Sequence, residues 1–126
     1  MAPARLWQQA EGALVLLAVL AALWHLGLPV PVWGAVLIFF APDLSFAGYA
    51  FGPRIGAIAY NSVHLYGFGI TVAAVGLVSG LPVLTACGAL WAAHAGFDRM
   101  LGYGLKLPTA FQDTHLGRIG RRPGQR

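Results

Sequence analysis

From Gly12 to Phe97 this chain carries only two formally charged side chains, Asp43 and Arg54. The residues between are mainly Leu, Val, Ala, Gly and aromatics. A soluble domain of 126 residues needs a charged surface, which this stretch could not supply. The pattern implies an integral membrane protein that crosses the bilayer several times. The few polar groups inside the apolar stretch then become the informative residues, because burying them in lipid costs several kcal/mol unless they find partners.

The formal charge of +4 comes almost wholly from the C-terminus, where Arg118, Arg121, Arg122 and Arg126 cluster. A basic tail beside a membrane span is attracted to anionic headgroups and held in the cytoplasm. It is short and lacks interleaved aromatics, which argues against a nucleic-acid partner. Cys87 is the only cysteine, so neither an intrachain disulfide nor a thiolate metal cluster is available. Arg5 precedes the apolar run Ala13 to Leu23 as in a signal peptide, but Trp24 and His25 stand where small cleavage-site residues belong. The run reads as a first permanent span.

A spanning helix needs about 17–25 mostly apolar residues. The expected spans are residues 12–28, 31–51, 54–79 and 82–98, in a single transmembrane domain covering 1–126. The basic stretch 99–126 follows as an interfacial tail. The second span includes Pro42 and Asp43, and is read as a kinked continuous helix rather than one broken at Pro42. Gly52-Pro53 makes the next turn, with Pro at the first position of helix three. Arg5, Arg54, Arg99, Lys106 and the Arg tail fall on one side, whereas the two Gly-Leu-Pro turns carry no charge. The positive-inside rule then places both termini in the cytoplasm. The fold class is an all-α, four-helix membrane bundle, N-in and C-in.

Counting about 1.5 Å per residue from the inner helix ends puts Asp43 roughly 12 Å deep, Tyr60, Asn61 and His64 roughly 9–15 Å deep, and His94 roughly 7 Å deep. Three helices thus contribute to one polar layer. Tyr60, Asn61 and His64 share a helical face, as do Trp91, His94 and Asp98. The layer comprises Asp43, Arg54, Tyr60, Asn61, His64, His94, Asp98 and Arg99. Its default reading is interhelical hydrogen bonding, with Arg54, Arg99 or a protonated His94 as partners for Asp43.

The sharper reading is a cytoplasm-facing cavity in which Asp43, His64, His94 and Asp98 are the catalytic candidates. Imidazole and carboxylate suit zinc or another divalent metal, with His64, His94, Asp98 and His115 as candidate ligands. The different depths of His64 and His94 argue against both holding one ion unless the helices tilt. There is no HExxH, nucleophile elbow or phosphate-binding glycine loop. Gly67, Gly69 and Gly76 suggest close helix packing.

Several blocks together resemble an uncharacterised family of small bacterial integral-membrane proteins, classed as a domain of unknown function. They are Ala-Pro-Asp-Leu-Ser from Ala41, Gly-Pro-Arg-Ile-Gly-Ala-Ile-Ala-Tyr-Asn from Gly52, and His94 with Phe97-Asp98-Arg99. Gly-Tyr-Gly-Leu-Lys from Gly102 and Asp-Thr-His-Leu-Gly-Arg from Asp113 complete the set. The resemblance covers about Glu11 to Gly120. It implies a bacterial four-helix membrane protein, with recurrent polar blocks at the layer residues above and at His115, and implies no activity.

The expected function is that of a small multi-pass inner-membrane protein with a structural or accessory role, possessing Gly-rich faces suited to homo-oligomers. The alternatives are a membrane-embedded metal-dependent hydrolase acting on a lipid or amphiphile, and an oligomeric transporter or proton pathway.

Overall fold

A computed structural model describes residues 3–120. It is helical apart from a small C-terminal hairpin. The elements are α1 (Pro3–Leu26), α2 (Val32–Phe40), a 3-10 helix (Ala41–Phe51), α3 (Pro53–Val63), α4 (Tyr66–Val78), α5 (Pro82–Met100), β1 (Asp113–Thr114) and β2 (Gly117–Arg118). Helix α1, and α2 taken with the 3-10 helix, are each long and apolar enough to cross a membrane. The pair α3–α4, bent by 45°, would form a third such span.

Helix α5 lies at the centre. It packs along α1 on one side and α4 on another, with α2 also against it, while α3 lies mainly on the 3-10 helix. Glycines make this approach close: a Cβ at Gly88 would run into the backbone of Ala73 and Gly69, and one at Gly12 into Gly96 and Arg99. Gly69 and Gly76 meet α5 in the same way, whereas Gly67 faces open space. The buried side chains along α5 are accordingly small, with Ala86, Ala92, Ala93 and Ala95 among them. Large apolar side chains such as Leu14, Leu17, Trp33, Leu37, Ile70 and Val78 point outward, as they would toward lipid rather than water. Helix α5, expected as a fourth span, is not apolar enough by itself to be counted with the others. Its polar groups are instead sheathed by its neighbours.

Gln9 at the start of α1 donates a hydrogen bond to the carbonyl of Met100 at the end of α5, so these two helices run antiparallel. At the opposite end, the two Gly-Leu-Pro turns line one shared pocket. Helix α5 ends in a Schellman cap: Tyr103 N–H donates to Asp98 O and Gly102 N–H to Arg99 O. The cap requires Gly102 at φ +89°, a conformation that costs a residue with a Cβ about 1 kcal/mol or more.

Two spans differ from expectation. The second stays helical through Pro42 but tightens from α to 3-10 at Ala41, so Asp43 caps no helix. The third, expected to be continuous over 54–79, breaks at His64–Leu65, where Leu65 is extended (φ −76°, ψ 139°). No Pro or Gly stands at the break. At the break the His64 Nδ1 lies 2.7 Å from the Tyr60 carbonyl, which the His64 backbone N–H also reaches at 3.1 Å, and Phe68 N–H donates to Leu65 O rather than to His64 O. The released His64 carbonyl accepts from Arg99 Nη2 at 3.4 Å. The freed carbonyl is thus satisfied by protein.

The stretch after α5 folds back instead of lying loosely at the interface. Lys106 bridges to Thr114, and β1 pairs antiparallel with β2. Arg118 is ion-paired with Asp113; Arg121, Arg122 and Arg126 lie outside the described residues. Gly88→Ala should lower the thermal midpoint in detergent, by the equivalent of about 1–3 kcal/mol for overpacking. Gly67→Ala should leave it nearly unchanged.

Candidate metal centre

Four side chains converge where the 3-10 helix, α3 and α5 meet. His64 Nε2 and His94 Nε2 are 3.3 Å apart. Asp43 Oδ1 lies 3.3 Å from the first and 3.1 Å from the second. Asp98 Oδ2 lies 3.5 Å from each. One ligand atom from each of the four residues falls within 4.8 Å of all the others. A tetrahedral ion with bonds of about 2.0–2.1 Å would hold its ligand atoms about 3.3 Å apart, close to the spacing of these five pairs.

Each member is positioned from outside the cluster. His64 is fully buried and His94 is 1 % exposed. The Tyr60 carbonyl can only accept, so the hydrogen-bond network places a proton on His64 Nδ1; in the neutral ring the lone pair is then on Nε2. The Tyr60 ring stacks on His64 at 3.6 Å between centroids, and its hydroxyl donates to Asp98 Oδ2 at 3.0 Å. His94 is gripped by the edges of Phe39 and Phe40, and its Nδ1 is buried without a partner among the described residues. Trp91, one turn before it, donates Nε1–H to the Ile38 carbonyl and ties α5 to α2.

The electrostatic consequence is specific. In the neutral ring the His64 Nε2 lone pair faces two carboxylate oxygens, which repels unless a proton or a cation sits between them. A proton on His94 Nε2 would serve Asp43 and leave the His64 lone pair against Asp98. A divalent cation would serve all four groups and neutralise both carboxylates.

The remaining candidates lie elsewhere. Arg54 is exposed and outside the cluster. Arg99 contacts no carboxylate among the described residues, and its guanidinium donates to the carbonyls of Tyr103 and His64. Asn61 clamps the returning chain, its carbonyl accepting from Lys106 N at 2.6 Å and its amide donating to Lys106 O at 2.8 Å. His115, a candidate ligand, accepts from Leu105 N–H through Nδ1 and reaches no other member of the set. Asp43, expected beside Arg54, Arg99 or a protonated His94, meets His94 and also His64, with its side chain 36 % exposed. His64 and His94, expected at different depths, meet because helix three ends at His64 and turns away, which straight-helix counting does not capture.

Asp43, Tyr60 and Asp98 also line a pocket of about 310 Å³, closed by Phe46, Phe97, Phe111 and Lys106 among others. Lys106, which the polar layer did not include, is 4 % exposed, and its ammonium lies 3.9 Å from the Phe111 ring centroid and 5.1 Å from that of Tyr60. Burial pushes its pKa below the ordinary lysine value, opposed by the Asp98 carboxylate. A second pocket of about 330 Å³ is wholly apolar and opens between α1 and α2; Phe39 and Phe40 separate it from the cluster.

These features define a small, apolar, all-helical protein with a buried two-histidine, two-aspartate cluster at its helix junction. A family model described as Domain of unknown function (DUF4260) matches residues 5–119, and the chain belongs to that family. No curated protein and no solved structure matches it.

The Asn61 clamp yields a direct test. Asn61→Ala removes two hydrogen bonds to the Lys106 backbone and should cost about 1–3 kcal/mol. Limited trypsin digestion should then cut after Lys106 faster than in the wild type.

Proposed function

We propose that this chain is a small inner-membrane protein of four spanning segments, with both termini cytoplasmic, that holds one divalent metal ion on Asp43, His64, His94 and Asp98. The convergence of four ligand atoms within 4.8 Å of one another, with a proton placed on His64 Nδ1 by the Tyr60 carbonyl, carries this reading. Ligating histidines commonly have their second nitrogen held by a carbonyl, and ligating carboxylates are commonly hydrogen-bonded in turn. His64 and Asp98 follow that pattern. Zinc suits the donor set best, with manganese or ferrous iron also compatible.

The topology rests on the basic residues. Arg5, Lys106 and the end of α5 gather at one end, and the uncharged Gly-Leu-Pro turns at the other. The positive-inside rule puts the first end, and with it the metal cluster, toward the cytoplasm.

A metal-dependent hydrolase acting on an amphiphile is the use the geometry supports best. The half-exposed Asp43 leaves one side of the cluster facing the 310 Å³ pocket, through which water and a substrate carbonyl or phosphoryl oxygen could reach the ion. The ion would act as a Lewis acid and lower the pKa of a bound water. A purely structural metal clamp tying three elements together is the second reading, favoured by the presence of four protein ligands rather than three.

Purified protein should carry one metal ion per chain by elemental analysis, lost on chelation and on His64→Ala or His94→Ala. Asp43→Asn should keep the fold and lose the metal. Metal and protons compete for the same ligand atoms, so occupancy should fall on acidification. Metal-free wild-type protein that rejects added zinc would sink the proposal. For topology, a periplasm-active reporter should be inactive when fused after Arg126 and active when inserted at Gly80.

A further inference from the structure

We infer that the pocket beside the cluster is a subsite for an anionic amphiphile, and that Lys106 binds its phosphate or carboxylate head. The inference rests on the metal centre proposed above and goes on to name what the pocket receives.

Lys106 is the feature that calls for a ligand. As a residue it is 4 % exposed, yet among the described residues its ammonium has no carboxylate within ion-pair distance. Its neighbours are the faces of Phe111 and Tyr60. Ring faces attract a cation but accept no strong hydrogen bond, so all three N–H donors remain available. The backbone on either side is fixed by the Asn61 clamp, and the Thr114 bridge adds a further tie, so the lysine is held in place before any ligand arrives.

The walls identify the rest of the ligand. Beyond Lys106 and the carboxylates, the pocket is lined by Phe46, Phe97, Leu101, Phe111 and Ile119. A charged head with an apolar body fits this division, whereas a free inorganic anion would leave the apolar walls unused.

The ion decides the sign of the field. Without metal, Asp43 and Asp98 outweigh the single Lys106 charge and repel an anion. A divalent ion reverses the balance, leaving the pocket attractive to an anion. Anion binding should therefore depend on metal occupancy.

Cobalt-loaded protein in an uncharged detergent tests this, since the visible bands of tetrahedral cobalt respond to a ligand entering beside the ion. Cobalt per chain is counted first, then decyl phosphate and inorganic phosphate are titrated separately. Decyl phosphate should give a saturable spectral change at least tenfold tighter than inorganic phosphate. Lys106→Met should keep one cobalt per chain and bind decyl phosphate at least tenfold more weakly. Ile119→Trp, which fills the pocket and leaves Lys106 in place, should weaken it similarly. Full cobalt occupancy without a saturable response, or an unchanged affinity in Lys106→Met, overturns the subsite and leaves the metal centre standing. Equal affinity for the two phosphates overturns the amphiphile in favour of a free anion. A wild-type chain that takes up no cobalt overturns both the metal centre and the subsite.

Discussion

The hydrogen bond from His64 Nδ1 to the Tyr60 carbonyl organises more of this molecule than its single contact suggests. It fixes which nitrogen of His64 is free to face the cluster, and it sits at the break that sends α3 and α4 in different directions. The break releases the His64 carbonyl to Arg99, so a buried guanidinium on α5 completes the backbone of another helix. Tyr60 holds both partners at once, stacking on the imidazole and donating its hydroxyl to Asp98. Tautomer, bend and carboxylate orientation thus have a common origin in one helical turn.

That turn is effective only because α5 can come close. Gly88 and Gly96 remove the side chains that would hold α4 and α1 away, and the alanines beside them leave His94 and Asp98 surrounded by protein. A helix carrying His94, Asp98 and Arg99 is poorly suited to lipid contact on its own. Placed at the centre, with large apolar residues on the outer faces of its neighbours, it needs no lipid-compatible surface. The apolar character of the chain is concentrated where it faces outward, and the polar character where three elements converge.

Much of this was legible because charge is so scarce. With two charged residues in the apolar stretch, Asp43 stood out at once, and the i, i+4 spacings of Tyr60–His64 and His94–Asp98 placed each pair on one face. The all-helical class followed from the same apolar runs. What the sequence did not reveal depended on tertiary contacts. The break at His64 has no Pro or Gly to announce it, and its freed carbonyl is met by Arg99, a partner remote in sequence. Asn61 was assigned to the cavity because it shares a face with His64, yet it meets Lys106, which is remote in sequence, and no local pattern encodes that pairing. Arg54 and His115 were included on charge and residue type alone, and neither has a helix that turns it inward. Lys106 was read as an interfacial anchor, and only the folded-back hairpin shows it enclosed by rings.

The Asn61 clamp also bears on how the site is reached. All four residues of the cluster lie at or before Asp98, whereas the outer wall of the adjoining pocket comes largely from Leu101, Tyr103, Lys106, Phe111 and Ile119. That wall belongs to a segment tied down through Lys106, and local opening of it would bare the pocket while the helices stay packed. Roof and cluster thus draw on separate parts of the chain, so one can loosen without the other.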